Sequence, residues 1–201
     1  YNDFEEDFEE VLAHMRKNGV TAVLNAGNSI DSLDEQLALS EKYPFIYTAA
    51  GVHPHNAEEY ANMTAEYLIE KSKHKKIVGI GECGLDYYYN YSAKDTQIKV
   101  FLEHIKAAQQ TGLPLIIHTR DADDDTMEIL GQHYKKAPFS GEIHCFSGSQ
   151  KLADFALSIG FYISASGIIT FNKSSDLREI FNKIPLDLSL IHISEPTRPL
   201  Y

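Results

Sequence analysis

Three side chains able to hold a metal ion follow apolar, strand-like runs in this sequence. Glu82 closes KKIVGIGE (75–82) and opens GECGLDYYYN (81–90), His118 closes LPLIIH (113–118), and His144 lies in GEIHCF (141–146). A carboxylate buried without a partner is costly, so Glu82 needs either an Arg or Lys elsewhere or an ion. A lone histidine in such a place is more often a satisfied core group. Two of them at equivalent places in successive units, joined by a carboxylate, form a ligand set. Neutral imidazole nitrogen with carboxylate oxygen suits zinc, manganese or iron, and oxygen-rich versions accept magnesium.

Other residues suggest substrate contacts. His53 and His55 lie in GVHPHNAEE, past the strand-like FIYTAAG (45–51), with Pro54 stiffening the turn. Side chains placed beyond a strand reach substrate more readily than metal, so His53 is assigned to substrate binding or proton transfer and His55 to the loop. Arg120 can pair with phosphate bidentately. The acidic run DADDD (121–125) is read as the first turn of a helix, where the helix dipole favours carboxylates, rather than as a metal cluster. Tyr87, Tyr88, Tyr89 and Tyr91 either stack on nucleobases, with Tyr88 as the substrate-binding candidate, or cover a rim.

The elements that must position these groups alternate along the chain. Helical patterns over 4–19, 31–43, 57–73, 94–110, 123–136 and 149–159 separate six apolar, β-branched runs: 20–27, 45–51, 75–82, 113–118, 141–146 and 160–167. Positions Ile98, Phe101, Leu102, Ile105 and Ala108 keep helical spacing, whereas 75–82 alternates too little for a half-exposed strand. Such βαβ repeats build a parallel sheet buried on both faces. An open sheet gathers its chemistry beside one switch point, but here His53, Glu82, His118 and His144 each follow a different strand. That distribution predicts a TIM (β/α)8 barrel. Six strands leave two to find, one expected before Tyr1 and one near the C-terminus.

Composition narrows the class. At 201 residues and 43% hydrophobic, one well-buried domain is expected. No run approaches a membrane span, no signal-peptide pattern opens the chain, and two unframed cysteines suit a reducing cytoplasm. A net charge of −11 argues against a broad basic surface for nucleic acid. A bound divalent ion would still provide positive charge locally.

With these residues assembled, the chain closely resembles the TatD family of metal-dependent deoxyribonucleases. The resemblance rests on GVHPH (51–55), GECGLDYY (81–88), the helix and strand of 97–122 and HCFSGS (144–149), in the family's order, and covers about residues 5–187. It implies an amidohydrolase-like barrel binding one or two divalent ions (Mg2+, Mn2+ or Zn2+), with Glu82, His118 and His144 as ligands and Glu82 shared between ions. It also implies phosphodiester hydrolysis, as a 3′ exonuclease on single-stranded or damaged DNA, with His53 orienting phosphate or assisting proton transfer and Arg120 holding the strand. Neither a membrane nor an obligate protein partner is implied. An amide, lactone or phosphotriester hydrolase on the same barrel, or a non-catalytic binding protein, are the alternatives.

Two departures from the family pattern stand out. Nothing here supplies its first-strand Asp-x-His-x-His-like motif, and His14 lies inside a helix. After IPLD (184–187) the family continues to Glu-Thr-Asp-Ser-Pro, but here LSLIHISEPTRPLY follows and Ser194 occupies the aspartate's place. Residues 1–187 are therefore expected to form a truncated barrel lacking its first strand and a normal last strand. LSLIHISEPTR reads as the translation of a sequencing-library adapter end, which makes 188–201 a non-native tail. The alternative is a divergent strand with His192 as substitute ligand. With half the ligands absent, the chain alone is expected to show little or no activity.

Overall fold

The computed structural model describes residues 7–191, with seven strands separated by helices. The elements are α1 (Phe8–Lys17), β1 (Val23–Asn25), α2 (Leu33–Lys42), β2 (Ile46–Ala50), α3 (Ala65–Lys71), β3 (Ile77–Asp86) and α4 (Lys94–Thr111). There follow β4 (Leu115–Arg120), α5 (Asp123–Lys136), β5 (Gly141–Ile143), α6 (Gln150–Ser158), β6 (Tyr162–Ala165), α7 (Ser175–Phe181) and β7 (Ser189–Ile191). All neighbouring strands pair parallel in the order β1-β2-β3-β4-β5-β6-β7. Sequential parallel pairing with a helix at every crossover is the wall of a TIM-type barrel, as expected.

Apolar burial holds the wall together. Ile80, Leu85, Leu115, Ile117 and Ile143 from the strands share one core with Phe101 and Ile105 of α4 and Leu130 of α5. On α4 the buried positions Gln97, Val100, Phe101, His104, Ile105 and Ala108 recur every three or four residues, the spacing of one helical face. Burying each large apolar side chain contributes roughly 1.5–3 kcal/mol. Gly112, at φ +72°, closes α4 in the left-handed conformation and turns the chain into β4.

Several elements differ from expectation. The helix expected over 57–73 is reduced to Ala65–Lys71, and the residues before it form tight turns. The β-branched Thr64, extended at φ −117° and ψ 160°, starts the shorter helix, whose Ala65 N–H is bonded by Glu103 of α4 at 2.9 Å. Helix α7 was not anticipated, because SDLREIF is only two turns long. The expected helix over 4–19 appears as Phe8–Lys17, residues 4–6 lying outside the described range. Of the tail, Ser189–Ile191 pairs with β6 in register Ile163↔Ser189, so a short apolar run completes the wall on that side. His192 and Ser194 lie outside the described residues.

The largest correction concerns β3. It was expected to end at Glu82, but it continues to Asp86. Its register with β4 shifts between Ile80 and Cys83, then resumes as Gly84↔His118, Leu85↔Thr119 and Asp86↔Arg120. Such a shift re-aims side chains while the ladder continues. Gly84 makes the close approach possible: it sits at φ +131°, and a Cβ there would lie 2.2 Å from the His118 carbonyl oxygen.

Candidate metal centre

Glu82, Asp86 and His118 converge from β3 and β4 at one mouth of the wall. Period-two alternation gives residues 82, 84 and 86 one face, with the small Gly84 between the carboxylates. His118 lies between them, with Nδ1 3.2 Å from Glu82 Oε1 and Nε2 2.9 Å from Asp86 Oδ2. Asp86 is fully saturated. Its Oδ2 also meets His55 Nε2 at 2.9 Å, and its Oδ1 accepts the Tyr88 and Tyr89 backbone N–H groups, each at 3.0 Å. Gln97, buried on α4, accepts the Asp86 N–H at 2.8 Å and donates to the Asp86 carbonyl at 3.0 Å, locking the end of β3.

A neutral imidazole has one N–H. A doubly protonated ring would donate to both carboxylates, whereas in the neutral tautomer that gives Nε2–H to the buried Asp86 the His118 Nδ1 lone pair faces the lone pairs of Glu82, an arrangement that a cation between them satisfies. The donor set therefore fits a divalent ion on grounds of its own chemistry. One ligand atom each from His53, Glu82 and His118 falls within 4.8 Å of the others.

His53 thus joins the cluster more closely than expected. It follows β2 and starts a tight turn, Pro54–Asn56, with His53 Nε2 4.0 Å from Glu82 Oε1 and its ring centroid 4.5 Å from that of His118. Its Nδ1 accepts the His55 backbone N–H at 3.3 Å, which leaves Nε2 as the protonated nitrogen turned toward the carboxylate. Burial first, then the neighbouring His118, lowers its pKa to about 4, so the ring is neutral at pH 7 and still offers an N–H. His55, assigned to the loop, lies in that turn and is held there by Asp86. Asp86 itself was missed, although it stands four residues beyond Glu82 in the same motif.

His144 arrives from the next strand. It follows β5, donates its backbone N–H to the Ile117 carbonyl at 2.8 Å and places Nδ1 3.3 Å from Glu142 Oε1. It lies outside the 4.8 Å group but acts on it electrostatically. Burial would push its pKa down, but Cys145, Glu142 and Glu82 outweigh burial and push it up to about 10. Burial likewise raises Glu82, yet the hydrogen bond from His118 and the charges that His144, His53 and His118 carry when protonated prevail and hold it at about 2.

Arg120, the last residue of β4, places its guanidinium carbon 3.9 Å from the Tyr88 ring centroid and 4.9 Å from that of Tyr89. It also lines an open cleft of about 540 Å³ with Lys94, Tyr87 and Ser149. Of the acidic run, Asp123, Asp124 and Asp125 lie in the first turn of α5, as expected, and Asp121 precedes the helix. Asp123 accepts the Ser149 N–H at 2.8 Å, Asp124 pairs with Lys151 at 2.8 Å, and Asp125 accepts the Tyr87 hydroxyl at 2.6 Å.

A buried histidine on α4 braces the loop that carries His53. His104 Nε2 accepts the Val52 N–H at 3.0 Å, and Nδ1–H donates to the Val100 carbonyl at 2.8 Å. Burial lowers its pKa from 6.5 to about 4, with Val100 and Glu103 pulling the other way. Because the folded pKa lies below the unfolded one, its contribution to stability is complete above about pH 6.5 and is lost as pH falls towards 4. The loss across that window is about 3 kcal/mol. Urea denaturation of the parent and His104→Gln at pH 7 and pH 4.5 checks this. The stability difference between them should shift against the parent on acidification, and parallel pH dependences would contradict it.

Comparison with known proteins places these features in a family. A model of the family described as TatD related DNase matches residues 1–192. The metal-dependent hydrolase YabD of Bacillus subtilis, itself described as uncharacterized, is 35% identical over 193 residues, covering 96% of this chain and 75% of that protein. The 3′-5′ ssDNA/RNA exonuclease TatD of Shigella flexneri is 30% identical over 196 residues, covering 97% of this chain and 75% of that protein. Among solved structures, the TatD homolog YJJV of Escherichia coli superposes with a TM-score of 0.88 at 29% identity, covering 100% of this chain and 78% of that one.

Proposed function

Since the chain belongs to the TatD-related DNase family and is a metal-dependent hydrolase of that family, we propose that its site is built to hydrolyse phosphodiester bonds at the 3′ ends of single-stranded DNA. The observation that carries this reading is His118 held between the carboxylates of Glu82 and Asp86, with the His53 N–H directed at the same place. Glu82 and His118, with His144 from the next strand, would hold one or two divalent ions (Mg2+, Mn2+ or Zn2+), with Glu82 shared if there are two. A divalent ion held there supplies a more acidic water and offsets charge on phosphate oxygens.

The protein's own groups do the rest. Asp86 fixes the His118 tautomer and ring orientation. His53, neutral and braced by its turn, donates its Nε2–H to a phosphate oxygen and orients the ester. Arg120 offers a fixed fork for an adjacent phosphate, pre-ordered by the rings beneath it. The unpaired Cys83 and Cys145 suit a reducing cytoplasm. Among the described residues no helix is long and apolar enough to cross a membrane.

The test is a version carrying the family's Asp-x-His-x-His strand ahead of Tyr1 and its Glu-Thr-Asp-Ser-Pro ending in place of the tail after Asp187, given end-labelled single-stranded DNA and, separately, a small amide, a lactone and a phosphotriester. Manganese- or magnesium-dependent shortening of the DNA is expected, with little or none from the 201-residue chain. Turnover of a small substrate without DNA cleavage would replace this reading with the other hydrolase class.

A further inference from the structure

The tyrosines after β3 divide into two groups. Tyr87 packs against the core, and its hydroxyl bonds Asp125. Tyr88, Tyr89 and Tyr91 are 56%, 45% and 65% exposed, three large aromatic side chains at one rim. Exposed aromatic area of this kind is costly to leave in water and is concentrated where a ligand covers it.

Their arrangement is ordered. Tyr89 and Tyr91 are stacked, with centroids 5.3 Å apart and planes 8° apart. Both stand edge-on to His55, at 5.3 Å and 4.9 Å, and His55 is bonded to Asp86. The Tyr89 backbone N–H is bonded to the same carboxylate. The rim is thus fastened to the residue that orients His118. On the other side Tyr88 packs edge-on to Tyr89 at 4.8 Å and carries the Arg120 guanidinium on its face.

From this we infer that Tyr89 and Tyr91 form a stacking platform for a nucleobase of single-stranded nucleic acid, with Arg120 taking a backbone phosphate beside it. The inference rests on the phosphodiesterase reading of the site and adds how the substrate's bases are recognised. With its rings already in contact, the Tyr89–Tyr91 pair takes a base on the outer face of Tyr91 rather than between the rings. A π-face accepts any unpaired base, so the platform favours single strands over duplex without reading sequence. Its attachment through His55 and Asp86 sets the distance from the stacked base to the metal-binding residues. In a chain of net charge −11, stacking and one well-placed guanidinium replace a broad basic surface.

The test separates bases from phosphates and needs no hydrolysis. A fluorescein-labelled deoxyadenosine decamer and an abasic decamer with the same phosphates are titrated with the 201-residue chain at low salt in calcium, and anisotropy is followed. The parent should bind the base-bearing strand more tightly, by roughly tenfold or more. Tyr91→Leu should remove most of that preference and leave abasic binding unchanged, while Tyr91→Phe keeps it. Arg120→Gln should weaken both strands alike. Because Tyr91 is so exposed, circular dichroism should show Tyr91→Leu folded as the parent. Equal binding of the two strands, no binding of either, or a base preference untouched by Tyr91→Leu would overturn the platform. A Tyr91-dependent base preference combined with no DNA cleavage by the version carrying both family segments would uphold the platform and reject the hydrolytic reading alone.

Discussion

Glu82→Gln should weaken manganese binding to the 201-residue chain by roughly two orders of magnitude or more. Glutamine keeps the shape of Glu82 but removes the charge that the site is arranged around. His118, His53 and His144 together hold this carboxylate at about 2 against the burial that would raise it. A carboxylate kept ionised while 15% exposed, and lying beside the His118 imidazole, is a ligand prepared in advance. The amide is a far poorer donor to a hard cation. Titration calorimetry with Mn2+ on parent and variant measures the change, with a urea midpoint confirming that both are folded. Equal affinities would show that Glu82 does not hold the ion.

Asp86→Asn should lower manganese affinity about 10- to 100-fold, although Asp86 is assigned no place among the ligands. The asparagine carbonyl can still accept from the backbone of Tyr88 and Tyr89. Its NH2 group, however, would point a donor at His55 Nε2 and His118 Nε2, both 2.9 Å from the present Oδ2. To avoid two donors meeting, His118 would change tautomer and place its proton on Nδ1, the nitrogen that faces Glu82. That proton occupies the lone pair an ion needs. Calorimetry gives the affinity, and nitrogen NMR of the His118 ring reports the tautomer independently. Unchanged affinity with an unchanged tautomer would mean that Asp86 serves the loop and not the ligand.

How far the sequence disclosed this site depended on whether a signal was local. The βαβ alternation is local, since each strand and each helix carries its own period, and the barrel wall follows from their repetition. Glu82, His118 and His144 were visible because each sits where an apolar run stops. Asp86 was not, because ending the strand at the first carboxylate hid the alternation 82, 84, 86, and the register shift that turns those residues depends on contact with β4. His55 read as a loop residue because its partner is 31 positions away. His104 and Gln97 lie on the buried face of α4, where an apolar pattern gives no hint that two polar groups brace the loop of His53 and the end of β3. Short α7 and β7 have too few residues for any period to emerge.

In the proposed reaction Glu82 and His118 would hold a divalent ion whose chemistry is to offset charge on a non-bridging oxygen of the phosphodiester. The most direct measurement uses the version bearing the Asp-x-His-x-His strand and the Glu-Thr-Asp-Ser-Pro ending, with a 5′-labelled single strand whose last linkage carries sulfur in place of a non-bridging oxygen. In magnesium, which binds sulfur poorly, removal of the 3′ nucleotide should slow sharply relative to the oxygen substrate, and manganese or cadmium should restore it. Slowing by the same factor in every metal, or removal of the nucleotide without any divalent ion, would contradict that role.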